Sequence, residues 1–242
     1  GLAYFADDNG RIVTEMSVMT IAEDFFFLIT ASVAQLHDFE WLAKNPPPDH
    51  VQGSTFYSAC LLYEGGKFGE ALGRFQAFAK DNAASPLQPE AALRVGYCQV
   101  QLKQFPEAIA TLTPLADKHP ALADQVLFWL GKAQVGAALA SDPAMPQLRD
   151  NGLKTAITTL RTAADRAGQL AANDPDARAR RGEILLELAD THQLAKLYKE
   201  AVPIYEQILN EKAIPARIEE TTQRVIAALH LAGDFNRSDQ IG

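Results

Sequence analysis

Lys67-Phe68-Gly69-Glu70-Ala71, Gln104-Phe105-Pro106-Glu107-Ala108 and Leu197-Tyr198-Lys199-Glu200-Ala201 decide how this chain folds. Each contains an aromatic residue, then any residue, then Glu and Ala. Twelve residues before each alanine stands another small residue: Ala59, Gly96 and Ala189. Four residues after each alanine stands a large apolar one: Phe75, Leu112 and Tyr205. Antiparallel helices cross closely only where a small residue on one faces a small residue on the other. The spacing therefore predicts helical hairpins, with Ala59, Gly96 and Ala189 meeting Ala71, Ala108 and Ala201. The large residue one turn later is expected to fill the space between one hairpin and the next. Gly65-Gly66 supplies a helix stop between the two helices of the first hairpin.

Working outward, Leu127, Leu130-Gly131 and Gln134 set the first helix of a further unit, and Ala156, Leu160 and Ala163 set its second. Here 25 residues separate the two small positions, Gly131 and Ala156, so material is inserted. Ser141-Asp142-Pro143 and Met145-Pro146 predict either a longer loop or a prolonged helix followed by a turn. A last first-type helix is expected from about Ala216 to Leu231, with Gly233-Asp234-Phe235 at the turn. Its partner is expected to be missing, as in a fragment of a longer protein.

These residues resemble the tetratricopeptide repeat, whose pattern places W-x₂-L-G-x₂-Y in helix A, then A-x₃-F, then a closing Pro. Ala92, Val95-Gly96, Gln99, Ala108, Leu112 and Pro120 carry the resemblance best. Thr55, Ser58-Ala59, Leu62, Ala71 and Phe75 repeat it, as do Leu185, Leu188-Ala189, His192, Ala201 and Tyr205. The resemblance implies an all-α fold, an α-solenoid of antiparallel helix pairs coiled as a right-handed superhelix. Repeats are expected over about 51–86, 87–121, 122–174 (with the insertion near 137–152), 176–213 and, in part, 215–242. Ser85-Pro86-Leu87-Gln88-Pro89-Glu90-Ala91 is similar to helix openings in bacterial envelope versions of the repeat, in outer-membrane assembly lipoproteins and cell-division coordinators. That likeness points to a periplasmic or envelope setting and leaves the cytoplasm open.

Residues 1–50 form a separate N-terminal segment in this reading. No breaker interrupts Thr14 to Lys44, and Ile21, Phe25, Leu28, Ser32, Leu36 and Phe39 share one helical face. A long apolar helix capping the array is expected, closed by Pro46-Pro47-Pro48. Phe25-Phe26-Phe27 would be covered on two sides in such a cap, or would dock a partner. Glu15, Glu23 and Asp24 argue against a lipid surface for that helix.

Composition narrows the function. With 22 basic and 30 acidic residues the net charge is −8, and no basic block offers a nucleic-acid face. The most apolar stretch, Val18 to Leu36, carries Glu23 and Asp24 and ends at His37-Asp38, so no membrane span is expected. His37, His50, His119, His192 and His230 form no metal-ligand pattern, and no phosphate loop or nucleophile elbow appears. His192, at a helix A packing position, reads as a satisfied core group. Cys60 and Cys98 read as small buried apolar residues, with pairing left open. We therefore expect no catalytic residues, no metal and no cofactor.

The resemblance implies that stacked A helices line a concave groove suited to a peptide or helix of a protein partner. Projected onto this sequence, the groove is expected to present Phe56, Tyr63, Leu93, Tyr97, Phe128, Lys132 and Asp190. The same aromatics serve equally well as packing residues. Only Lys132 fits the pattern by which some related arrays grip a C-terminal carboxylate. The expected function is a non-catalytic interaction scaffold in a larger assembly, with a structural spacer or self-association module as the alternative.

Overall fold

The computed structural model describes residues 2–6, 12–22, 25–29, 51–172 and 174–241. From Val51 onward every described element is helical: α1 (Val51–Glu64), α2 (Phe68–Asp81), α3 (Gln88–Gln101), α4 (Phe105–Lys118), α5 (Ala123–Leu139), α6 (Pro146–Leu170), α7 (Pro175–Leu194), α8 (Tyr198–Glu211), α9 (Ile218–Ala232) and α10 (Phe235–Ile241). Single turns of 3₁₀ helix at Pro120–Leu122 and Pro215–Arg217 lead into α5 and α9. Each helix packs antiparallel on its neighbours in sequence, and the pairs stack into an α-solenoid.

Four of the hairpin turns share one chemistry. The residue two places before the aromatic is left-handed each time: Gly66 (φ 74°), Lys103 (φ 59°), Lys196 (φ 61°) and Gly233 (φ 81°). The following amide reaches back five residues to a helix carbonyl, Lys67 to Leu62 (2.8 Å), Gln104 to Gln99 (2.8 Å), Leu197 to His192 (2.8 Å) and Asp234 to Leu229 (2.9 Å). That bond satisfies a carbonyl the helix end would otherwise leave orphaned, and it sets the second helix antiparallel to the first.

Small residues occupy the crossings. Ala59, Ala71, Ala108, Ala156, Ala189 and Ala201 are wholly buried. A Cβ on Gly96 would lie 2.4 Å from Leu112 Cδ2, and one on Gly131 would lie 2.5 Å from Leu160 Cδ2. Leu112 and Leu160 are thus seated on the glycines of their own hairpins. The gap between hairpins, assigned to the large residue by sequence, is shared: Leu112 also clusters with Val126 and Leu130 of the next unit.

The insertion lengthens helices. α5 runs for 17 residues and α6 for 25, against 14 for each of α1 to α4. The extension is packed, because Gly136 lies where a Cβ would meet the Phe105 ring at 2.3 Å, and Gly152 likewise abuts Ala138 at 2.8 Å. At the C-terminus the absent partner helix is corrected: α10 begins at Phe235, and Ser238, three residues on, is buried at the position of Ala71 and Ala108.

The N-terminal expectation is corrected too. Residues 12–22 and 25–29 are not helical: β1 (Leu2–Ala6), β2 (Ile12–Ala22) and β3 (Phe25–Ile29) pair antiparallel in the order β1-β2-β3. Leu2 faces Ser17, and Ile29 also faces Ser17 from the other side. Ile12, Val13, Thr14, Val18, Thr20 and Phe25 to Phe27 are β-branched or aromatic, and Asn9-Gly10 between the first two runs is hairpin-turn chemistry. Those local preferences outweigh the helical spacing of a few apolar residues. The remainder of the expected helix, from 30 to 44, and Pro46-Pro47-Pro48 lie outside the described residues.

Candidate partner-binding groove

The A-type helices α1, α3, α5, α7 and α9 present corresponding positions unit by unit. Taking Ala59, Gly96, Gly131 and Ala189 as reference, the next residue is Cys60, Tyr97, Lys132 or Asp190, and the residue two before is Tyr57, Arg94, Trp129 or Glu187. The first kind in one unit meets the second kind in the next. Tyr97 stacks on Trp129 with ring centroids 4.3 Å apart. Lys132 Nζ lies 2.7 Å from Glu187 Oε2, and Arg224 of α9 pairs with Asp190. The ladder changes along the array from aromatic to ionic, and each ionic rung is partly exposed and contributes only about 0.5–1 kcal/mol. Its effect is on register between units more than on stability.

Around the aromatic rungs the face is continuous. Tyr63 lies 5.2 Å from Phe68 and 6.2 Å from Tyr97, ring centre to ring centre, and Gln101 donates to its hydroxyl (3.2 Å). Tyr97 donates to Gln125 Oε1 at 3.1 Å. Burial raises the pKa of both phenols, so they remain neutral at physiological pH. Phe128 packs edge-on against Trp129 at 5.8 Å, and Lys132 Nζ sits over both rings at 5.4 and 5.9 Å. Between Tyr97, Phe128, Trp129 and Ile184 opens a pocket of about 220 Å³.

Towards α7 and α9 the face is charged, and its charges are internally matched. Arg180 bridges Asp124 (2.7 Å) and Asp174 (3.1 Å), and Arg217 bridges Glu183 (2.7 Å) and Glu220 (2.7 Å). The Asp124 side chain is wholly buried at the start of α5, and its Oδ1 has no partner among the described residues.

The structure sorts the residues expected from sequence. Tyr63, Tyr97 and Phe128 are partly exposed on the face formed by the A-type helices. Phe56 and Leu93 are not: they are 2% and 1% exposed and belong to the core, Phe56 among Phe75 and Phe78, Leu93 beside Leu112 and Val126. Each is drawn inward because the helix before or after leaves an apolar slot that only a large side chain fills. Lys132 is spent on Glu187 and the two aromatic rings, which removes the one residue that matched a carboxylate grip. Asp190 accepts from Tyr205 (2.6 Å) as well as from Arg224, so its carboxylate is engaged within the array. Trp129 is absent from the positions projected by sequence. The signal for it is its place two residues before the small position, shared with Arg94 and Glu187.

Chemistry other than binding finds little support here. Among the described residues no group of three His, Cys, Asp or Glu side chains is placed to hold a metal ion. Burial pushes the Cys60 thiol up to about 11 and the Cys98 thiol up to about 12, and both are unpaired thiols in the same core cluster. His192 is 2% exposed, its Nδ1–H donates to the Leu188 carbonyl (2.8 Å), and Arg161 approaches its Nε2 at 3.5 Å. It is a satisfied core histidine, with burial lowering its pKa. No described helix is long and apolar enough to cross a membrane.

Comparison with known proteins agrees with this geometry. Residues 58–123 match the family model described as tetratricopeptide repeat. No curated protein matches. Among solved structures, the nearly identical TPR-like repeats of a putative kinesin light chain from Podosopora anserina superpose with TM-score 0.57 at 16% identity, over 78% of this chain and 90% of that one. BtubC (BKLC) from P. vanneervenii superposes with TM-score 0.58 at 14% identity, over 86% of this chain and 84% of that one. At such identities the likeness is one of fold. Residues 58–123 thus match the tetratricopeptide repeat model, and they lie in a helical solenoid whose fold is similar to those two repeat structures.

Proposed function

We propose that this chain is a non-catalytic scaffold that binds a peptide or helix of another protein along the face made by α1, α3, α5 and α7. Tetratricopeptide repeats are generally protein–protein interaction scaffolds, and the fold is typically non-catalytic. The observation that carries the reading is the open aromatic face of Tyr63, Tyr97, Phe128 and Trp129, which no other described element covers fully. Half-buried aromatics beside a pocket are the usual anchors of polypeptide recognition. The helix opening at Ser85 to Ala91 makes the bacterial envelope the first setting in which to seek the partner.

The test is affinity capture with the whole chain as bait, followed by mass spectrometry. Phe128→Ala and Trp129→Ala are the informative variants, because Tyr97 is more deeply packed. A polypeptide held by the native protein and lost in both variants, with helical content and thermal midpoint retained, supports the groove. Retention in both variants rules the groove out, and recovery of no polypeptide rules out the scaffold.

A further inference from the structure

We propose that the pocket lined by Tyr97, Phe128, Trp129 and Ile184, with Gln125 held by the Tyr97 hydroxyl, seats one large uncharged apolar side chain of a bound polypeptide; this rests on the scaffold reading above. Size sets the first limit. At about 220 Å³ the pocket falls below the roughly 300 Å³ at which ligand and cofactor sites begin, and it suits a single side chain.

Charge sets the second limit. Arg180 and Glu183 also line the pocket, but neither is available. Diverting Arg180 to an incoming anion would strand the wholly buried Asp124 carboxylate, one of whose oxygens already lacks a partner. Glu183 is held by Arg217 at 2.7 Å. An incoming cation fares no better, because the cation position on the Phe128 and Trp129 rings is taken by Lys132, itself tied to Glu187. It would also meet Arg180 in the lining. A neutral apolar side chain meets neither penalty, and it gains contact with three aromatic side chains of the lining.

The test uses the full chain with Trp41→Phe, which leaves Trp129 as the one tryptophan of the sequence. Its indole N–H resonance is followed by NMR during titration with N-acetyl-L-leucinamide, N-acetyl-L-phenylalaninamide, N-acetyl-L-lysinamide and the amide of N-acetyl-L-aspartic acid. Saturable shifts are expected from the leucine and phenylalanine probes, at least about tenfold tighter than from the lysine and aspartate probes, a gap of about 1.4 kcal/mol. Phe128→Ser should weaken the apolar probes about tenfold. Leu231→Ser, at an exposed position of α9 outside the pocket lining, should leave them unchanged. The proposal is overturned if a charged probe binds as tightly, if no apolar probe saturates, or if Phe128→Ser changes nothing. A captured partner that anchors here through a charged residue would sink this inference and leave the scaffold standing. Saturation by apolar probes with no polypeptide retained would overturn the scaffold, and with it the polypeptide as the source of the seated side chain.

Discussion

The same substitution should have opposite signs at two glycines of this array. Gly73 lies inside α2, exposed, with nothing within 4 Å of an added Cβ. Gly73→Ala therefore removes backbone freedom from the unfolded chain at no steric cost and should stabilise by about 0.5–1 kcal/mol. At Gly96 the added Cβ would stand 2.4 Å from Leu112 Cδ2, 2.6 Å from Cγ and 3.0 Å from Cδ1. Carbon atoms pack comfortably at about 3.5–4.0 Å, so Leu112 must retreat by roughly 1 Å. It has nowhere to go, being wholly buried beside Leu93, Val126 and Leu130. Overpacking of this kind costs about 1–3 kcal/mol, towards the upper end when Cγ itself is struck. After the propensity gain, Gly96→Ala should destabilise by about 2 kcal/mol. The two variants then differ by about 2–3 kcal/mol, or about 1 M in urea midpoint at a typical denaturant slope. Urea unfolding followed by circular dichroism and by tryptophan fluorescence reads the difference, and coincidence of the two probes checks that the array unfolds as one unit. In a Leu112→Ala background, Gly96→Ala should become neutral or stabilising, which isolates the contact as a coupling energy. If Gly96→Ala stabilised as much as Gly73→Ala, the close approach of α3 and α4 would be wrong.

Three further outcomes are expected. Ala108→Leu should cost about 1–3 kcal/mol by overpacking the crossing of α3 and α4, read as a lower urea midpoint, and a neutral result would place that crossing elsewhere. Lys103→Gly and Lys196→Gly should each stabilise by about 0.5–1 kcal/mol, since left-handed backbone costs a side-chain-bearing residue more than glycine's added entropy takes back; thermal midpoints that fall would refute this. Burial lowers the His192 pKa in the folded state below its ordinary 6.5, so the unfolded chain binds the proton more readily. That contribution is fully present above about pH 6.5 and is lost as pH falls from there towards the folded value. The midpoint of the native protein should therefore drop more steeply between pH 7 and 5.5 than that of His192→Gln, and parallel profiles would count against the assignment. Asp174 and Glu220, held low by Arg180 and Arg217, act in a separate window below their ordinary 3.8 and 4.5.

Periodicity misleads in the first thirty residues. Ile21, Phe25 and Leu28 fall on a helical face, yet β2 and β3 run through all three. A few apolar residues at spacings of three and four fit a helix by chance more readily than a segment rich in β-branched and aromatic residues fits one by preference. Asn9-Gly10 carries the hairpin signal, and only the aromatic pair Tyr4-Phe5 before it and the β-branched run Ile12 to Thr14 after it give it weight. The insertion in the third unit shows a milder version. Its length is legible in the spacing of Gly131 and Ala156, but helix extension and loop look alike until Gly136 is set against Phe105 and Gly152 against Ala138.

What the sequence by itself determined was the hairpin. Small residues twelve apart, an aromatic three before the second of them and a left-handed turn residue between are all set within about twenty positions of chain, where sterics act locally and leave a fixed spacing. Only the tertiary structure decided what the groove offers. Tyr97 meets Gln125 from 28 residues away and Lys132 meets Glu187 from 55, so whether a side chain is swallowed, paired or left open depends on which unit stacks beside it. Phe56 and Leu93 went inward, Lys132 and Asp190 were neutralised by the next unit, and Trp129 came forward. Stacking of one hairpin on the next settles those fates, because burial and charge pairing are properties of neighbours in space that no spacing along a single unit records.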